Sequence, residues 1–197
     1  MGFDNILSVQ SLKDDLKNLC IEFRTKYDRY ESSTEYVSKK DEACQKALND
    51  FKEYFETKGC SITEEMNGDS LTLIVNKINS GRFFASLEAS QDKTLHFKIP
   101  ESEYYQTISI IERDSNESSH FQGYLHNDEL KFNAIKDHQK DDPNFYIEQI
   151  EKIKEDIKDI DEKINDANPE FKYELYDRNI FLDDFVEFLN IVDKEIK

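Results

Sequence analysis

Four histidines, three cysteines and a large excess of carboxylates are the groups in this 197-residue sequence that could do chemistry. His120, Gln122, Tyr124 and His126 share one parity, so on a strand they project from a single face. Two imidazoles six residues apart on a strand stand about 20 Å from each other, too far to hold one metal ion. That set reads as an exposed polar face suited to binding, and neither His96 nor His138 falls at a metal-ligand spacing from it. A metal-dependent hydrolase needs carboxylates on adjacent strands, usually beside a lysine, to place a divalent ion and activate water. Asp69, Glu88, Asp92 and Lys93 lie in or near strand-like runs, but no compact carboxylate-x-Lys pattern follows a matching upstream acid.

Cys20, Cys44 and Cys60 form no C-x-x-C pair, which argues against a disulfide framework or thiolate zinc site and fits a reducing cytoplasm. Cys60 stands just past a helix C-terminus, where the dipole disfavours a thiolate, while Cys20 and Cys44 sit on helical faces as small hydrophobes. With five glycines and none of G-x-x-x-x-G-K-[ST], G-x-G-x-x-G or G-x-S-x-G, the usual phosphate-cradling loops are missing. The sequence therefore predicts a protein that is not an enzyme, with no catalytic residue, no cofactor and no metal. A hydrolase with scattered carboxylate ligands is the enzyme-class alternative.

The elements that would position these groups follow from periodicity. Between Phe3 and Lys58 there is neither Gly nor Pro, and Leu12, Leu16, Leu19, Phe23, Tyr27 and Tyr30 recur at three and four, an amphipathic helix. Ser32, Ser33 and Thr34 interrupt it, with Ser32 and Glu35 at capping-box spacing. A second helix then carries Cys44, Leu48, Phe51 and Phe55 and ends at Gly59. The pair reads as a hairpin or as one long rod. From Cys60 to Ile135 the period becomes two. Asn67-Gly68 predicts a type I′ hairpin, Phe83, Ala85 and Leu87 oppose Phe84, Ser86 and Glu88, and about seven strands follow one another with one polar and one apolar face. Asn79-Ser80-Gly81, Gln91-Asp92-Lys93 and Asn127-Asp128-Glu129 are its turns, and Arg113 to Ser119 a longer mobile loop.

After Pro143 the helical period returns, and Tyr146, Ile150, Ile153, Ile157, Ile160 and Ile164 form a heptad seam. Asn168-Pro169-Glu170 resembles a helix start, although FKYELY alternates and fits an edge strand. The final helix is read with Phe181, Phe185, Phe188 and Val192 on one face and Leu182, Leu189 and Ile196 beside them. The class expected is α+β: N-terminal amphipathic helices over 1–59, a central antiparallel meander of six to seven strands over 60–136, and acidic C-terminal helices over 137–197, in one compact unit.

Net charge is −17, and residues 137–197 carry −10 of it. Such a balance argues against direct contact with nucleic acid or an anionic membrane. No apolar run approaches the ~20 residues that span a bilayer, and MGFDNILSVQ has neither the basic end nor the apolar stretch of a secretory signal. The chain is expected to be cytoplasmic. Lys outnumbers Arg by 21 to 5, the bias of an AT-rich bacterial or phage genome. Candidate interaction residues are the seam, Ile150, Ile153, Ile157, Ile160 and Ile164, as a coiled coil or as intramolecular packing. To these is added an acidic ridge of Glu155, Asp159, Glu162 and Asp166, with Glu148 before it. Lys152, Lys154, Lys158 and Lys163 are interspersed, so the ridge reads mainly as a solvated face. The function expected is an accessory or adaptor subunit that binds another protein, or a second copy of itself, through its helices or the polar sheet face. An acidic DNA mimic that inhibits a nucleic-acid-binding protein is the alternative.

Overall fold

The computed structural model describes residues 3–77, 82–113, 123–126, 129–132, 139–165 and 168–196. In chain order these form α1 (Phe3–Glu31), α2 (Thr34–Thr57), β1 (Cys60–Asn67), β2 (Ser70–Lys77), β3 (Arg82–Ala89), β4 (Leu95–Ile99) and β5 (Tyr104–Glu112). β6 (Gly123–His126), β7 (Glu129–Phe132), α3 (Pro143–Asn165), β8 (Phe171–Leu175), β9 (Ile180–Leu182) and α4 (Phe185–Glu195) complete it. The class is α+β, with N-terminal helices and a central antiparallel meander. Contacts gather the elements into two units, residues 1–36 with 116–168 and residues 37–115 with 169–197, so each unit is assembled from two separated stretches. The turns expected at 79–81 and 127–128 and the loop expected at 114–119 lie outside the described residues.

The break between α1 and α2 falls one residue later than the capping-box spacing implied. Ser33, not Ser32, accepts the Tyr36 N–H at 3.2 Å, because the cap must immediately precede Thr34, while the Ser32 hydroxyl turns back to the Arg29 carbonyl. The buried rings of Tyr30 and Tyr36 meet edge to face at 5.1 Å across this break. α2 ends where expected: Gly59 takes φ +73° and its N–H reaches the Glu56 carbonyl at 2.9 Å.

In the second unit, β1 to β5 pair in sequence, then β8 joins β5 and β9 joins β8, giving a seven-stranded antiparallel sheet. β6 and β7 form a separate two-stranded ribbon in the first unit rather than continuing the meander. The hairpin at the start is displaced by one residue from the Asn67-Gly68 reading. Asn67 pairs with Ser70, so Gly68 and Asp69 are the loop, and only Gly68 has positive φ, the II′ pattern with Gly first. A bulge interrupts the register between Val75 and Asn76, leaving Phe84 without an opposite partner. It breaks the simple alternation of β3: Phe84 turns inward beside Ala85, and Phe83 is left 41% exposed.

The inner face of the sheet is Leu73, Val75, Leu87, Leu95, Phe97, Ile108 and Leu175, and α2 and α4 cover it with Phe51, Phe55, Phe185 and Phe188. Phe97 meets Phe188 edge to face at 5.1 Å and Phe51 at 6.2 Å, while Phe185 packs on Tyr173 at 5.5 Å. Each fully buried ring or leucine contributes about 1.5–3 kcal/mol relative to exposure. Polar tips are satisfied as they enter: Tyr173 donates to the Ala43 carbonyl at 2.9 Å and Tyr54 to that of Leu189 at 3.4 Å.

FKYELY resolves as a strand inside the sheet, between β5 and β9, with Asn168-Pro169-Glu170 leading into it rather than into a helix. Phe181 and Leu182 belong to β9, not to the last helix. Asn179 at φ +51° turns the chain back, and Asp184 caps α4 by accepting the Val186 N–H at 3.0 Å. That amide hydrogen bond holds the Asp184 carboxyl below the ordinary carboxylate range, helped by Lys46 at 3.3 Å. A depressed carboxyl stabilises the fold above its unfolded pKa and loses that contribution as pH falls through the folded one. Asp184→Ala is therefore expected to cost about 1 kcal/mol at neutral pH, with the gap from wild type closing on acidification in urea titrations.

Candidate functional site

Within the first unit, α1 and α3 lie side by side. The Lys13 ammonium sits 5.3 Å from the Tyr146 ring centroid and Lys26 pairs with Asp161 at 2.6 Å, so contacts advance together and the helices run parallel. Tyr146, Ile153 and Ile157 form one cluster with Val9, Leu16 and Cys20, and Ile150 packs at its margin. Ile160 is also buried and Ile164 is half-buried. The seam thus spends its central residues inside the chain's own helix pair. Gln149 and Asp156 share the buried stripe, which is less purely apolar than the isoleucine spacing suggests.

Glu155, Asp159 and Glu162 are exposed, and Asp166 lies outside the described residues. Lysines are woven among them: Lys152 pairs with Glu148 at 2.6 Å and Lys158 with Glu162 at 3.3 Å. These one-turn pairs interrupt the even run of negative charge that imitation of a phosphate backbone would need. His126 is exposed at the end of β6 opposite Glu129, while His120, Gln122 and His138 lie outside the described residues. Tyr124 pairs with Lys131 in the ribbon register.

The second unit presents a different arrangement. On the sheet face away from α2 and α4, strand register sets Lys98 beside Tyr105 and His96 beside Thr107, with Ser86 and Glu88 on β3 next to them. Tyr105 Oη lies 2.9 Å from His96 Nδ1, and the Thr107 hydroxyl is 3.2 Å from Tyr105 Oη and 3.4 Å from the same imidazole nitrogen. The two rings are nearly coplanar in orientation, 13° apart, and the Lys98 ammonium stands 5.6 Å from the tyrosine ring centroid and 4.0 Å from Glu88. Tyr105 is nonetheless 50% exposed. Ile74 and Phe181 flank the same face, Phe181 resting over the buried Lys172, whose ammonium donates to the Arg113 carbonyl at 2.7 Å. The arrangement is a rigid array of aromatic surface and fixed donors and acceptors. Sequence reading identified this face as polar but did not assemble the cluster. The signal was the parity of His96 and Lys98 against Tyr105 and Thr107, which needs the register set by Pro100–Ser102 and by Glu103 at φ +54°.

The four groups weighed for hydrolysis occupy separate places. Asp69 is in the first hairpin loop, Glu88 faces Lys98, Asp92 binds Ser90 and Thr94 within its own turn, and Lys93 pairs with Asp41 at 2.8 Å. Among the described residues no three His, Cys, Asp or Glu side chains are grouped to hold a metal ion, and no helix is long and apolar enough to cross a membrane. Burial pushes the Cys20 thiol up to about 12 and raises that of Cys44. Cys60 is half-buried. Titration of the native protein with a chromogenic disulfide reagent is expected to modify Cys60 first, with Cys20 and Cys44 reacting only on unfolding; prompt reaction of all three would contradict these placements.

No protein-family model matches this chain, and neither a curated protein nor a solved structure does.

Proposed function

We propose that this chain is a non-enzymatic protein-binding module, an accessory or adaptor subunit whose recognition surface is the open face of the seven-stranded sheet. The observation that supports this is the His96–Tyr105–Thr107 cluster, with half-exposed tyrosine surface and hydrogen-bonding groups held on strands whose other face is firmly covered. Tyrosine on a rigid element brings large contact area at little entropic cost, which is why such residues dominate interface energetics. The helix seam offers less, since Ile153, Ile157 and Ile160 are already buried. The net charge of −17 steers encounters towards partners with basic surfaces.

Affinity capture from lysate, repeated with Tyr105→Ala/His96→Ala and with Glu155→Lys/Asp159→Lys, tests the reading. A partner lost with the first variant, kept with the second and unaffected by duplex DNA is the expected outcome. Capture indifferent to Tyr105 but displaced by duplex DNA and by the reversed ridge would overturn it in favour of an acidic mimic.

A further inference from the structure

At the ends of α2 and α4 the helices part from the sheet and leave a cleft of about 420 Å³. Its depth is apolar: Phe55, Phe97, Leu189 and Val192 line it, together with Phe84, which the bulge in β3 turns inward. That volume lies within the ~300–1,000 Å³ of small-molecule sites, which are mostly apolar with a few placed polar groups. The polar groups here stand at the rim. The Lys58 ammonium is 3.1 Å from Asp193 and 4.3 Å from the Tyr54 ring centroid, and that of Lys77 is 5.0 Å from the ring centroid of Phe84. Two ammonium groups against one carboxylate make a local positive excess on a chain whose total is −17. The ends of α2 and α4 meet at this rim, Gly59 N–H reaching the Glu56 carbonyl at 2.9 Å and Ile196 N–H closing the last ordinary turn onto Val192 at 3.1 Å, so the full charges of the two ammonium groups also face the partial negative charge of the helix ends.

We infer that this cleft binds a small monocarboxylate with an apolar body, the body lying against Phe84, Phe97 and Val192 and the carboxylate meeting Lys58 and Lys77. The site is separate from the open sheet face and stands or falls independently of the protein-binding reading. Cys60 lines the cleft and reports on its occupancy. Decanoate is the probe, added to the full chain below its micellar range, with decan-1-ol as the neutral comparison.

Calorimetry is expected to show saturable decanoate binding, and the same additions should slow thiol modification of Cys60. Lys77→Glu should weaken decanoate by about tenfold or more, the worth of one charge-assisted contact, while leaving decan-1-ol unchanged. Ile196→Trp, at the half-buried end of the cleft, should abolish binding of both while keeping the wild-type circular dichroism. Absence of decanoate binding, or binding that leaves Cys60 unprotected, overturns the site. Equal binding of decan-1-ol with indifference to Lys77→Glu overturns the carboxylate.

Discussion

Phe188→Ala is expected to lower the stability of the sheet-bearing unit by about 3–5 kcal/mol, the cost of emptying a phenylalanine site in a closed core. Phe188 is fully buried, and its ring meets Phe97 of the sheet at 5.1 Å and Phe185 of its own helix at 5.4 Å, so it is shared by helix and sheet. Neither neighbour can collapse into the space without leaving its own packing against Phe51 or Tyr173. A loss of that size is a large part of the ~5–15 kcal/mol that holds a domain folded. With no tryptophan in the chain, urea unfolding is followed by tyrosine fluorescence, to which Tyr54 and Tyr173 contribute from the same core. Tyr176→Ala is the control, since that ring is 70% exposed, and should shift stability by no more than about 0.5 kcal/mol. Equal midpoints for the two variants would show that α4 does not close the core.

The second large effect belongs to the helix pair. Ile153→Asp places a carboxylate at a position with no exposed surface, among Leu16, Cys20 and Ile157, and is expected to cost about 4 kcal/mol or more. α1 and α3 should then separate, with loss of helical circular dichroism and with Cys20 becoming reactive to thiol reagents. Glu155→Lys, two residues along and exposed, should leave both signals at wild-type values. If Ile153→Asp instead kept its helicity and a protected Cys20 while its mass in solution fell, the seam would be an interface between chains.

Much of this architecture is local and so could be read from residue order. The change of period at Gly59 and Cys60 places the helix-to-strand junction because it is written in adjacent residues. What failed was either one residue wide or far apart in sequence. Asn67 looks like a turn residue by type, yet it closes a ladder pair with Ser70, and only backbone conformation separates the two hairpin settings. The run Ile180 to Leu182 is too short to distinguish a period of two from one of 3.6. Asp184 with Glu187 three residues later was the legible sign that the helix starts after it. Pairing of β5 with β8 had no local signature. The Tyr105 cluster was hidden for a related reason: alternation shows which residues share a face, but only strand register shows which of them touch.

The division of each unit into two stretches sets an order on events at the ribosome, where the chain emerges from its N-terminus. β5 is complete while its neighbour is still unsynthesised: Lys172 follows Arg113 by 59 residues, roughly 3–12 s at ~5–20 residues per second. α1 waits longer, since Lys26 and Asp161 are 135 residues apart. During that interval a nascent chain displays an open strand edge and an apolar helical stripe together, the two features that holdase chaperones recognise and that seed aggregation. Slow translation of residues 143–175, which carry α3 and β8, would therefore lower the soluble yield of this protein even though no residue of its finished core had changed.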